Sequence, residues 1–219
     1  MTRPAVPALI LAALAVLCPS EPLFRAQNPE GCAEAFARLR TAYRHALPME
    51  AEFRHVLRAR ALNQTEVEEG TVILAPGGKM RWAYTRPEGK LAVADGKESY
   101  LYLPGSREVF IQPINQEGPL LFRLLSGQVN LEEEMACEGV SFHGEEAVLS
   151  LKLLKSSADV RRVEVTTEAA TGQVRRISYL DPLGNEVSLT LSHIRTPAGL
   201  TPDSFAFKVP PGVKVIRAE

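Results

Sequence analysis

Two hydrophobic periods divide the chain beyond residue 28. Phe36, Leu39, Tyr43, Ala46 and Leu47 recur at the spacing of one helical face, with Arg38, Arg40 and Arg44 on the other. That predicts an amphipathic helix. Asn28-Pro29-Glu30 supplies its start, with a capping side chain, a proline in the first turn and an acid near the positive end; Pro48 marks its stop. From Met49 the period becomes two. Ala51, Phe53, His55 and Leu57 alternate with Glu52, Arg54, Val56 and Arg58, which predicts a long strand. Gly70 to Pro113 breaks into short β-rich runs at Pro76-Gly77-Gly78, Pro87-Glu88-Gly89, Asp95-Gly96 and Pro104-Gly105, and so reads as a meander of hairpins.

The alternation stops once. Leu120, Leu121, Phe122, Leu124 and Leu125 crowd between Gly118 and Gly127, the pattern of a short apolar helix. It then resumes at Leu149, Leu151 and Leu153, at Val163 and Val165, at Ile177 and Tyr179, and at Val187, Leu189 and Leu191, with turns at Thr171-Gly172 and from Asp181 to Asn185. The fold class is α+β.

Counting strands sets a geometric problem. About ten or eleven at ~4.8 Å spacing make a sheet roughly 50 Å across, apolar on one face. A first helix of about seventeen residues is only about 25 Å long. Two helices cannot plate so wide a flat sheet. A strongly curved antiparallel sheet, an incomplete β-barrel with helices covering its concave face as a lid, resolves this and leaves an apolar hollow where the helices fall short. A fully packed interior is the alternative.

The strand phases place Phe53, Leu57, Val72, Leu74, Met80, Trp82, Tyr84, Tyr100 and Tyr102 on the wall of that hollow. Phe36, Leu39 and Tyr43 of the first helix, with Leu120, Leu121, Phe122, Leu124 and Leu125 of the second, form the lid. Lys79, Arg81, Arg86 and Lys90 either make a basic rim or are solvated strand edges.

Composition narrows the partners. Of 219 residues 45% are apolar, enough for a real core, and 25 basic side chains against 26 acidic ones leave none of the excess that nucleic acid demands. Arg3 is the only charge before an apolar stretch from Ala5 to Leu17, followed by Pro19 and Ser20. Residues 1–26 therefore read as a secretory signal peptide cleaved after Ser20 or Ala26, and 27–219 as a single domain. Cys18 as the acylated cysteine of a lipoprotein is disfavoured by the bulky Leu17 before it. In an exported chain Cys32 and Cys137 either form a disulfide or remain two buried thiols.

Catalytic signals are missing. His45, His55, His143 and His193 show no metal-ligand spacing, and no nucleophile elbow, phosphate-binding loop or dinucleotide fingerprint occurs. Glu132-Glu133-Glu134 reads as a solvated helix end. No enzyme, cofactor or metal is expected.

The strand with Phe53, then Glu69-Gly70, Pro76, Arg81-Trp82, Tyr84, Pro87, Asp95-Gly96 and Tyr102, stands in an order that resembles the LolA family of periplasmic outer-membrane lipoprotein carriers. Leu124-Leu125-Ser126-Gly127, the Asp181 to Gly184 turn, Phe205-Ala206-Phe207 and Pro210-Pro211-Gly212-Val213 extend it over the rest of the chain. The resemblance implies a monomer in the periplasm that holds lipoprotein acyl chains, loaded by an inner-membrane ABC transporter complex and unloaded by an outer-membrane receptor. It also implies a departure. Where better-known carriers have a lid-holding arginine in the turn before the Arg-Trp strand, this chain has Ala75-Pro76-Gly77-Gly78. A lipid or glycolipid transfer protein of the same fold is the first alternative; a sensory or structural β domain and an unfamiliar hydrolase are the others.

Overall fold

The computed structural model describes residues 29–114, 120–155, 160 and 162–217. The signal-peptide stretch, Asn28 and Gly118 lie outside them. In chain order the strands are β1 (Met49–Ala59), β2 (Gln64–Ala75), β3 (Lys79–Arg86), β4 (Leu91–Asp95), β5 (Glu98–Leu103), β6 (Glu108–Pro113), β7 (Met135–His143), β8 (Glu146–Leu153), β9 (Arg162–Glu168), β10 (Val174–Leu180), β11 (Glu186–Arg195) and β12 (Lys214–Arg217). The α-helices are α1 (Cys32–Arg44), α2 (Leu120–Leu125) and α3 (Leu131–Glu134).

All twelve strands join one sheet in the order β12-β6-β5-β4-β3-β2-β1-β11-β10-β9-β8-β7. Two antiparallel meanders, β1 to β6 and β7 to β11, are fused where β11 pairs with β1. Only β12 runs parallel to its neighbour, β6. It adds to the expected strand count, and its four residues are too few for alternation to reveal. The sheet is curled but unclosed, with β7 and β12 as its edges.

This order fixes where the helices go. β6 and β7 follow one another in sequence yet stand at opposite ends of the sheet. The chain between them must traverse the open side of the curl, and α2 and α3 lie in that traverse.

Cross-strand register assigns the faces, because directly opposed residues share one. Ala51, Val72, Trp82, Ala92 and Leu101 form one row across β1 to β5. His55, Leu189, Ile177, Val165 and Leu149 form another across β1 and β11 to β8. Both belong to the inner face, where Val72, Leu74, Met80, Leu149, Leu151, Val163 and Leu189 are buried. The alternation read in the second meander is this face.

α1 packs inside the curl against β7, β8 and β10. It is shorter than the sequence suggests: 13 residues starting after Gly31, whose φ of 82° is left-handed, with His45 already its C-cap. Ala46 and Leu47 therefore leave the helix instead of completing its apolar face. Its first residue, Cys32, is disulfide-bonded to Cys137 on the inner face of β7, with the Cα atoms 5.9 Å apart. Arg38 Nη1 donates to the Ala169 carbonyl at 2.8 Å. Gly172 permits this approach of the β9–β10 turn, since a Cβ there would strike the backbone of Arg38 and Leu39.

The outer face carries an apolar layer of its own. Val93, Val109 and Ile111 are buried there, beneath a C-terminal strap whose Phe205 sits in a short 3-10 turn against β3 and β4. Phe207 places its ring 5.4 Å from that of Tyr100 and 6.2 Å from that of Tyr102. The strap then ends in β12.

Candidate functional site

A cavity of about 510 Å³ lies between the helices and the inner face of the sheet, within the ~300–1,000 Å³ typical of small-molecule sites. Leu39, Ala42 and Tyr43 of α1 and Leu124, Leu125 and Leu131 of α2 and α3 form its cover. Its floor is Met49, Leu74, Met135, Leu151, Val165, Ile177, Leu191 and Ile194. Polar groups, His45, Glu168, Thr171, Gln173, Arg195 and Thr196, also border it. A tail can be enclosed while a polar end stays near water.

The sequence places the cover better than the floor. Leu39, Tyr43, Leu124 and Leu125 meet over the cavity. Leu120 is buried, and Phe36, Leu121 and Phe122 are half-buried against the same core. Of the nine wall residues only Leu74 lines this cavity. Phe53, Val72 and Met80 are buried in close-packed core. Phe53 meets Trp82 and Tyr84 edge-on at 4.8 and 5.1 Å between ring centres, filling the space the rings would otherwise border.

Tyr100 and Tyr102 are corrections. Tyr100 opposes Val93 and Tyr102 opposes Leu91, in rows that continue to Arg81 and Ala83, opposite in phase to Trp82. Both therefore belong to the outer layer under Phe207. Leu57 is a partial correction: it faces inward, but half-buried, outside the main core cluster and opposite Glu66.

The apolar floor ends near Leu57 because charge intrudes. Lys90 Nζ lies 2.5 Å from Glu68 Oε1 and 4.3 Å from the centre of the Tyr84 ring, and His55 Nδ1 is 3.5 Å from Glu68 Oε2. The His55 hydrogen bond, ahead of Lys90, holds the Glu68 carboxyl below its ordinary range against the opposing effect of burial. With Lys90 turned inward and Arg81 outward, the four cations expected near one rim do not share it.

Most of the floor escaped the sequence reading. Ile177, Val165, Leu151 and Leu191 alternate as clearly as β1 does, but nothing in alternation shows that the second meander, and not the first, lies under the helices. The traverse from β6 to β7 decides that.

Glu132 and Glu134 also depart from expectation. Asn130 caps α3 by accepting from the Glu132 N–H at 3.1 Å. Glu134 then pairs with Arg123 of α2 at 2.7 Å and Glu132 with Arg40 of α1 at 2.5 Å. The acidic run ties the helices together instead of merely being solvated.

In place of an arginine from the Ala75–Gly78 turn, Tyr43 joins the two main helices. Its hydroxyl donates to the Leu124 carbonyl at 2.8 Å. Burial pushes the phenol up to about 12. The donor is thus fully present below the ordinary tyrosine value, and its stabilisation is lost only as pH rises from about 10 through about 12. Tyr43→Phe removes this link while the Leu124 carbonyl keeps its bond from the Gly127 N–H at 3.3 Å, at a cost of about 1 kcal/mol. Amide exchange in α2 should quicken roughly fivefold and global stability fall by a similar ~1 kcal/mol; unchanged exchange there would show that the hydroxyl does not restrain the cover.

An unclosed antiparallel half-barrel, covered by helices over an apolar hollow, is the class these features define. The chain belongs to the outer membrane lipoprotein carrier protein family, LolA, whose model matches residues 44–208. It is 29% identical over 188 residues to an outer-membrane lipoprotein carrier protein of Nitrosomonas europaea, covering 84% of this chain and 90% of that one. One from Methylobacillus flagellatus is 23% identical over 185 residues, covering 84% and 89%. Among solved structures, an uncharacterized conserved protein from Thermus thermophilus shares the fold with a TM-score of 0.54 at 18% identity, covering 86% of this chain and all of that one.

Proposed function

We propose that the chain, once relieved of residues 1–26, is a non-catalytic periplasmic carrier that encloses lipoprotein acyl chains under α1 and α2 and moves them from the inner to the outer membrane. The observation that carries this reading is the apolar cavity of about 510 Å³ beneath a hydrogen-bonded helical cover. At ~0.8 kcal/mol per methylene, hiding a chain of about fourteen methylenes from water is worth on the order of 11 kcal/mol. A carrier without such a hollow would leave its cargo to aggregate. The attraction is non-directional, so many tail lengths fit, and release needs a competing apolar acceptor and movement of the cover. The relatives from Nitrosomonas europaea and Methylobacillus flagellatus are named for this role, and an inner-membrane ABC transporter complex and an outer-membrane receptor are the corresponding partners.

Native mass spectrometry of protein isolated from the periplasm tests the reading. A lipoprotein adduct supports it. A free lipid adduct alone would shift the cargo to membrane lipid or glycolipid, and an empty protein that also takes up no triacylated peptide would reject the carrier role.

A further inference from the structure

Among the described residues only three leucines are exposed, Leu62, Leu154 and Leu183, at 67, 55 and 83%. Register puts all three at one end of the sheet. Arg58, Glu186 and Leu180 form the last paired row across β1, β11 and β10, and Lys152 with Arg162 the last across β8 and β9. Leu62 follows that row in the β1–β2 turn, Leu183 in the β10–β11 turn and Leu154 after β8. These connections join alternate strand pairs, so at ~4.8 Å between strands their centres stand roughly 10 Å apart along one rim. The turns at the opposite end, Pro76-Gly77-Gly78, Gly96-Lys97, Gly144-Glu145 and Ala169 to Gln173, carry no large apolar side chain.

One exposed leucine needs no explanation, but every exposed leucine on a single rim does. Two of the tips are also braced. Asp181 Oδ1 accepts from the N–H groups of Leu183 at 2.9 Å and Asn185 at 2.8 Å, which fixes the turn that presents Leu183. Leu62 ends a 3-10 turn closed by Asn63, whose φ of 49° is left-handed. Apolar side chains set apart in this way make no continuous patch of the kind a protein partner covers, whereas a fluid lipid surface admits each one separately. Charge points the same way. Arg60 and Lys155 beside the leucines, and Lys152 in the row below, are exposed with no ion pair among the described residues. The acids of the tips and that row are occupied, Glu186 by Arg58 at 2.8 Å and Asp181 by its own turn. We propose that this rim docks on an anionic phospholipid surface, Leu62, Leu154 and Leu183 entering the headgroup layer while Arg60 and Lys155 meet its phosphates. Thr171, Gln173 and Thr196, which border the acyl cavity, lie at the other end of the strands. Membrane contact and cargo exchange therefore use separate faces, and the docking is independent of which cargo the cavity takes.

Co-sedimentation of the mature protein with vesicles of phosphatidylethanolamine and phosphatidylglycerol, compared with vesicles of phosphatidylcholine alone, tests this. The anionic vesicles should bind it and the neutral ones much less. Leu62→Ser combined with Leu183→Ser should weaken binding about tenfold. Arg60→Gln combined with Lys155→Gln should weaken it roughly twentyfold, a loss that added salt reproduces in the wild type. All of these positions are exposed, so thermal unfolding and lipopeptide affinity should match the wild type. A nitrobenzoxadiazole label on Leu183→Cys should shift to the blue on binding, and the same label on Glu145→Cys, in an opposite turn, should not. Absence of sedimentation with the anionic vesicles, binding untouched by the leucine pair, or a Leu183→Cys label that shifts no more than the Glu145→Cys label would each overturn the docking. None of these results touches the acyl cavity, which lipopeptide titration of the same proteins reads separately.

Discussion

Replacing Ala42 by phenylalanine should lower acyl-chain affinity by roughly two hundredfold without unfolding the protein. Ala42 is half-buried on α1 and lines the cavity whose floor includes Ile177 and Leu191. A benzyl group there enters existing space, so the overpacking strain that punishes enlargement in a dense core is small. Phenylalanine gives up less than about 0.7 kcal/mol of helix propensity relative to alanine, and filling a void returns part of that. The ligand bears the loss. If the ring displaces four methylenes, ~0.8 kcal/mol each amounts to about 3 kcal/mol, or roughly two hundredfold in affinity. Titration with a triacylated peptide, alongside thermal unfolding of both proteins, reads the two effects separately. Undiminished affinity in a folded variant would move the acyl chains elsewhere, most simply to the inner face beyond Trp82, where Leu101 is half-buried and Phe110 is 37% exposed.

That alternative shows what alternation can and cannot convey. The curled antiparallel sheet, its turns and the apolar α2 were legible because each has a local cause: a period of two, a Gly or Pro that fits the turn, a crowd of leucines. The hollow was legible as a deficit of cover over sheet. Its location was not. Glu-Ser-Tyr-Leu-Tyr-Leu in β5 is apolar at both phases, so nothing within that strand tells Tyr100 from Leu101. Only the strap carrying Phe207, more than a hundred positions away in sequence, makes the outer side of Tyr100 a buried one. Phe53, Trp82 and Tyr84 failed as cavity wall for the opposite reason: they face inward as expected, but their rings fill the space they would enclose. The acidic stretch at Glu132 likewise looked solvated until Arg40 and Arg123 were brought to it by chain segments that sequence distance keeps apart.

Reduction of the Cys32–Cys137 bond should cost on the order of 4 kcal/mol of stability. The bond spans a sequence separation of 105 residues, and closing a loop near 100 residues is worth about 4–5 kcal/mol in the chain-entropy model, with most measured losses at about 2–5. Against a total of about 5–15 kcal/mol this is a large share. Its position sharpens the effect. The loop holds all of the first meander and the traverse, so the link joins the start of α1 to an edge strand that the sheet itself does not tie back to β12. Without it, the polar ties that hold α1 across its length are those from Arg38 to Ala169, Arg40 to Glu132 and Tyr43 to Leu124. With a urea slope of about 2 kcal/mol/M, the midpoint should fall by about 2 M in reductant. The Cys32→Ala, Cys137→Ala double variant avoids placing a hydroxyl in a buried site and should show the same fall, insensitive to reductant. Acyl-chain retention should weaken in parallel, because the helix that loosens forms half of the cover. A wild-type midpoint indifferent to reductant would show that packing of Ala35 and Leu39 against the sheet, and not the covalent link, holds α1 in place.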